Sequence, residues 1–183
     1  MRIRFCVSLG LLLLLVCYGC GGSAEIEMKE AQAAMGQAKA FHADNLAPAD
    51  FQQAQKSWDH AQAAEKEGKT AAAKVLYTNA KIYSGKAADI AKAKKEDMSR
   101  ELSSMQGVIN NNLDQVRSDV ASKNLSPKQH DQVEAITSEV EKDNATISKL
   151  VIQEDLRKAI ETAKNVQTKI YHAQLILAGQ KVR

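Results

Sequence analysis

The stretch Thr70–Ser122, TAAAKVLYTNAKIYSGKAADIAKAKKEDMSRELSSMQGVINNNLDQVRSDVAS, sets the architecture. It contains no proline, and its stripe reads Leu76, Ala80, Tyr83, Ala87, Ile90, Lys94, Met98, Leu102, Met105, Ile109, Leu113, Val116 and Val120. Steps of three and four residues mark one face of a helix. They average about 3.67 residues, the period of a nearly straight helix rather than of a heptad supercoil. The stretch therefore predicts a single helix of about 50 residues, which at 1.5 Å per residue is roughly 75 to 80 Å long. Gly107 and Asn110-Asn111-Asn112 are weak helix formers and a place for a bend. The stripe runs through them in phase, which argues against a stop.

The segments on either side repeat each other. Upstream, Ile26, Met28, Ala31, Met35, Ala38 and Phe41 predict a first helix from Ser23 or Ala24 to about Asn45. Asn45-Leu46-Ala47-Pro48 ends it, and Pro48 suits the first turn of the next helix, where no N–H is needed. That second helix runs to about Glu67 with Phe51, Ala54, Trp58 and Ala61 as its buried stripe. Gly68 is placed to close it in the left-handed conformation, and Thr70 to cap the long helix.

Downstream, Asn124-Leu125-Ser126-Pro127 repeats Asn45-Leu46-Ala47-Pro48, with Ser126 and Gln129 spaced as a capping box. A fourth helix then carries Val133, Ile136 and Val140. Glu141-Lys142-Asp143-Asn144-Ala145-Thr146 matches Glu65-Lys66-Glu67-Gly68-Lys69-Thr70, with Asn144 in the closing place of Gly68. A fifth helix is expected from about Thr146 to Ala178. Its stripe of Ile152, Leu156, Ile160, Ala163, Val166, Ile170, Ala173 and Leu177 runs about half a turn out of phase with Ile147. The expectation is an all-α, elongated helical bundle of about five helices. It comprises two tandem three-helix units, residues 24–97 and 98–183, sharing the long central helix.

The start of the chain reads differently. Arg2 and Arg4 precede a nearly unbroken apolar run from Phe5 to Val16, which closes on Cys17-Tyr18-Gly19-Cys20 and Gly21-Gly22-Ser23. These are the parts of an export signal. The run falls short of the roughly 20 residues that span a bilayer. Gly19-Cys20 resembles the lipobox of bacterial lipoproteins, in which cleavage before the cysteine leaves it diacylated on sulfur at the new N-terminus. Cys17 stands where that pattern usually has Leu. With Cys6 and Cys17 removed in the leader, Cys20 is the only cysteine left, and an unpaired thiol fits poorly in an oxidising compartment unless it is modified. The expectation is a signal peptide over 1–19 and a lipidated N-terminus with a short tether over 20–23. Gly21, not Asp, follows Cys20, which favours the periplasmic face of the outer membrane. Ordinary cleavage after Ala24 is the alternative and would give a secreted periplasmic protein.

Composition bounds the partners. Of 25 Lys and Arg residues the leader takes two, leaving 23 against 22 Asp and Glu, a near balance that argues against nucleic acid. The densest basic run, Lys92-Ala93-Lys94-Lys95, is followed at once by Glu96 and Asp97. Aromatics are only 4%, so alanine must fill much of any helix seam.

Pro48, Ala54, Ala61, Gly68, Ala73 and Ala80 follow the pattern of a helical domain of unknown function found in many bacterial envelope lipoproteins. The chain resembles that family from about Ala24 to Lys95. It departs at Lys69-Thr70, where members often carry an acidic-aromatic pair. The resemblance implies a lipoprotein with a helical hairpin fold and brings no catalytic residue. The family's domain is sometimes found ahead of OmpA-like domains, but no such domain is expected in these residues, so cell-wall binding is not implied.

No catalytic constellation is expected. His42, His60, His130 and His172 fall on separate segments, and none has a His or Cys at the spacing that places two ligands on one helix face. There is no phosphate-cradling glycine loop and no nucleophile elbow, so no cofactor and no metal are expected. Phe51, Trp58, Tyr77 and Tyr83 are the candidate groove for a ligand or partner, or else a buried seam between the second and third helices. The sequence thus points to a non-enzymatic, lipid-anchored envelope scaffold or adaptor, bound to the membrane through Cys20 and to an envelope protein or a second copy of itself. The alternative is a binding module for a small apolar or envelope-derived ligand.

Overall fold

The computed structural model describes residues 23–180, and among these there are helices and turns but no strand. The apolar leader and Cys20, with the lipid attachment expected there, lie outside the described residues. Six helices follow in order: α1 (Glu25–Ala40), α2 (Ala43–Leu46), α3 (Pro48–Lys66), α4 (Thr70–Ser122), α5 (Pro127–Ile152) and α6 (Leu156–Leu177). The chain is an all-α helical bundle. It divides into two compact units between Ala93 and Lys94, inside α4.

The 53 residues of α4 run without interruption through Gly107 and the three asparagines. Ile109 and Leu113, fully or nearly buried, hold that region in place. Burial outweighs the weak helix propensity there.

The first unit is packed with small side chains. In α4 the buried positions Ala73, Tyr77, Ala80, Ser84, Ala87 and Ala91 alternate steps of four and three, with Ala88 buried beside Ala87. This is heptad spacing. The sequence stripe chose the neighbouring Leu76, Tyr83 and Ile90, which are only half-buried. Ala54, Ser57, Ala61 and Ala64 form the matching seam on α3, and Ala31 and Ala38 that on α1. Ser84 is completely buried and its hydroxyl makes no hydrogen bond. Pairs across the helices fix direction. Glu27 with Lys74 (3.8 Å) and Glu30 with Lys81 (2.9 Å) set α1 parallel to α4, and Asp50 with Lys86 (2.8 Å) together with Glu65 and Tyr77 (2.9 Å) set α3 antiparallel to it.

The first predicted helix is broken. His42 takes the left-handed conformation at φ 57, so the run expected to Asn45 becomes α1 and the single turn α2. The break lets Ala43, Leu46 and Ala47 turn inward, where all three are buried.

At the next turn Gly68 stands at φ 72. Its N–H donates to the Glu65 carbonyl at 2.9 Å, and the Lys69 N–H donates to that of Ala64 at 2.8 Å. These two bonds are the Schellman closure. Thr70 is the first residue of α4 rather than its cap, and Lys69 takes the capping place.

The second unit uses larger side chains. Its core joins Leu102, Ile109, Leu113 and Val116 of α4 to Val133, Val140 and Ile147 of α5 and to an α6 seam from Leu156 to Leu177. The predicted capping box starts α5, with the Gln129 N–H donating to Ser126 Oγ at 3.4 Å and the Ser126 N–H to Gln129 Oε1 at 3.1 Å. Arg117 with Glu141 (2.8 Å) and Lys95 with Glu154 (2.5 Å) set α5 antiparallel to α4. Lys169 with Glu139 (2.8 Å) and Asp143 (3.0 Å), together with Gln129 on the Ile176 carbonyl (3.2 Å), set α6 antiparallel to α5.

The fourth helix does not close at Asn144. It continues to Ile152, and Glu154 takes the left-handed position at φ 60. The Glu154 N–H bonds the Val151 carbonyl (3.0 Å) and the Asp155 N–H that of Leu150 (2.9 Å). Asp155 then caps α6 by accepting from the Lys158 N–H at 3.3 Å. The reason is Ile147: it lies seven residues beyond Val140, is completely buried, and would leave the core if the helix stopped before it. With 26 residues against 19, α5 exceeds α3 by seven, two turns that keep the same face inward.

A Cβ added at Gly68 would meet nothing within 4 Å, so its only penalty is the backbone conformation. Gly68→Ala should therefore lower the urea midpoint by the equivalent of about 1 to 2 kcal/mol with an unchanged slope. An unchanged midpoint would contradict the left-handed closure.

Candidate functional site

The four aromatic residues of the candidate groove lie in the first unit, on α3 and α4. Trp58 and Tyr77 come together, with ring centroids 5.0 Å apart and planes at 64°, an edge-to-face pair. Tyr77 is fully buried and Trp58 half-buried. Around them pack Ala61, Ala64, Ala73 and Ala80, with Met28 of α1 and Leu76. Phe51 is buried two helical turns before Trp58, and Tyr83 is half-buried on α4.

Tyr77 keeps a polar contact despite its burial. Its hydroxyl donates to Glu65 Oε2 at 2.9 Å. Glu65 sits at the end of α3; the sequence shows it as part of the turn motif around Gly68, but not as the partner of Tyr77 twelve residues on. Burial, reinforced by the hydrogen bond and the charge of Glu65, pushes the Tyr77 phenol up to about 12. The Tyr77 phenol therefore stays neutral at all physiological pH. It ties the ends of α3 and α4 together beside their turn. A phenol that holds its proton so firmly is a poor acid or base.

The histidines are distributed as their sequence positions imply. His42 and His60 are exposed, and His172 is half-buried with its ring 6.4 Å from that of Tyr171. At the start of α5, His130, Asp131 and Glu134 bring one potential ligand atom each within 4.8 Å of the others. A search for His and Cys pairs passes over this group because two of its members are carboxylates. All three side chains are exposed. Among the described residues their one mutual contact is a 3.7 Å approach of His130 Nδ1 to Glu134.

The second unit also carries open surface grooves of mixed polarity. One, of about 680 Å³, lies between the start of α5 and the end of α6 and is lined by Lys128, Gln129, Gln132, Ile136, His172 and Ile176, among others. Gln129 crosses it, its Nε2 donating to the Ile176 carbonyl at 3.2 Å. Along the same helix pair, the hydrogen bonds from Lys169 hold that ammonium above its ordinary range and Glu139 below its own. No helix among the described residues is long and apolar enough to cross a membrane. No protein-family model matches the chain, and neither a curated protein nor a solved structure matches it.

The Tyr77 phenol is neutral in the folded chain up to about pH 12, against 10.0 for a free phenol. Its contribution to stability is complete below pH 10 and disappears as the pH rises to 12. Tyr77→Phe should cost about 1 kcal/mol at neutral pH, from the lost hydrogen bond. The gap between the two proteins in thermal midpoint should then close between pH 10 and 12. A gap that stays constant over that range would contradict the buried phenol.

Proposed function

We propose that this chain is a lipid-anchored protein of the bacterial cell envelope, a non-enzymatic helical scaffold or adaptor. The observation that carries this reading is Gly19-Cys20 at the end of the apolar leader, with no cysteine anywhere downstream. Two or three acyl chains on Cys20 would hold the chain on a membrane durably, since each buried methylene adds about 0.8 kcal/mol. Gly21 after the cysteine favours the periplasmic face of the outer membrane. The resemblance of the stretch from about Ala24 to Lys95 to a helical domain of envelope lipoproteins implies a lipoprotein with a hairpin fold, in keeping with the anchor.

The helical units suit a scaffold. Their inner faces are occupied by their own side chains, and side chains such as Ile26, Val75, Ile82 and Ile152 stand exposed on the helices. An adaptor works by presenting such faces to a protein partner or to a second copy. Binding of a small apolar or envelope-derived ligand is the second reading, favoured by the half-buried Trp58 at the edge of the Tyr77 ring. A ligand entering there should shift Trp58 emission on titration with lipid or glycan extracts.

The test is the intact mass of the chain purified from its native membrane. The result expected is an N-terminal cysteine carrying a diacylglyceryl group, and Cys20→Ala should move the protein into the soluble fraction. Crosslinking in intact cells should then recover a specific envelope protein or a dimer. An unmodified residue 20 would overturn the anchor.

A further inference from the structure

We infer that the first unit stands on the bilayer by one end, the end that carries the α3–α4 turn, and meets the lipid headgroups with the residues around it. The inference rests on the anchor at Cys20 proposed above. Only Gly21, Gly22 and Ser23 separate that cysteine from Ala24. Four residue steps reach at most about 14 Å. Ala24 is no free end: it is buried in one apolar cluster with Ala61 and Ala64 of α3 and Ala73 and Tyr77 of α4. The start of α1 is thus locked beside the end of α3 and the start of α4. Glu27 and Lys74, 3.8 Å apart, mark the same level.

The opposite end of the unit is out of the tether's reach. The 19 residues of α3 span about 28 Å. Pro48, the α1–α2 break at His42, and the Asp50–Lys86 pair therefore lie about two tether lengths farther along. An anchor this short, attached at one end of a body this long, keeps that end at the membrane.

The surface at that end fits a headgroup layer. Three of its four lysines are balanced in place, Lys29 by Glu25 at 2.6 Å, Lys69 by Glu67 at 2.6 Å and Lys74 by Glu27, and the fourth, Lys66, is next in sequence to Glu65 and Glu67. Such a surface carries little net charge and calls for no anionic lipid. Two large apolar side chains stand out from it, Ile26 at 70% and Val75 at 61% exposure, beside the Glu27–Lys74 pair in sequence. Side chains of this kind are favoured at the boundary between headgroups and acyl chains.

The test uses the mature chain coupled through Cys20 to phosphatidylcholine vesicles that contain a small fraction of maleimide-headgroup lipid. Surface lysines are then labelled with a membrane-impermeant acylating reagent. The reference is the same chain with Cys20 capped in solution. Labelling of Lys66 and Lys69 should fall several-fold on the vesicles, while that of Lys39 and Lys86 stays unchanged. Equal protection of Lys39 and Lys86 would show the unit lying flat, and no protection anywhere would show the end standing clear; either overturns the inference. The coupling is chemical, so the outcome does not depend on acylation in the cell. A naturally unmodified Cys20 would sink the anchor reading, and a uniform footprint would sink only the orientation.

Discussion

The first unit depends on the smallness of the side chains between its helices. Ala73, Ala80 and Ala87 recur every seven residues on α4, each with no exposed surface, and Ala54 and Ala61 do the same on α3. A methyl group at these positions leaves nothing longer to hold the helices apart, and the distance between helix axes follows the side chains at the contact. Close approach in turn determines what else fits. Among the described residues of the first unit Tyr77 is the one large side chain with no exposed surface, and it escapes the polar penalty of burial by reaching Glu65 at the end of α3. Ser84, on the same seam, has no such escape, and its hydroxyl is buried without a partner. A seam this tight accepts a small polar group at some cost in stability.

The second unit solves the same problem with different material. Leu, Ile and Val from α4, α5 and α6 fill its core, and α6 keeps strict heptad spacing from Leu156 to Leu177. Both units place a down-running helix between two up-running ones, open that helix with proline, and close it with a left-handed residue. In the first unit that residue is Gly68. In the second it is Glu154, a side chain with a conformational cost of about 1 to 2 kcal/mol there. Its pairing with Lys95 returns at most part of that cost, as exposed pairs contribute about 0 to 1 kcal/mol. The two units therefore share a plan, carried by turn chemistry, rather than a core composition.

What the sequence revealed follows the strength of each local signal. Pro48, Gly68, the Ser126–Gln129 box and both ends of α4 were legible because each has a single strong conformational reason. The break at His42 was not, since histidine's preference for the left-handed region is too weak a signal by itself and the apolar steps run on to Phe41. The end of α5 was misplaced because Asp143-Asn144-Ala145-Thr146 has the composition of a turn, while the burial of Ile147 is a tertiary effect that overrides it. The phase change that suggested a new helix is present, but it falls at Gln153–Asp155. The α4 seam was misread by one position in the first unit for a related reason: alanine and serine carry little hydrophobic signal beside Leu76, Tyr83 and Ile90. Of the candidate groove, the placement of the four aromatics on the second and third helices followed from the sequence, whereas the Trp58–Tyr77 pairing and Glu65 as the polar partner of Tyr77 required the hairpin geometry. Cys20, on which the functional reading turns, is legible from sequence alone.

Unfolding of Ala80→Leu against Ala71→Leu tests the small-residue seam most directly. Both residues are on α4, Ala80 with no exposed surface and Ala71 exposed. Leucine favours a helix nearly as well as alanine, so propensity cancels. The seam account expects Ala80→Leu to lose about 1 to 3 kcal/mol through overpacking while Ala71→Leu stays within about 0.5 kcal/mol of the parent. Equal midpoints for the two variants, or a more stable Ala80→Leu protein, would contradict it.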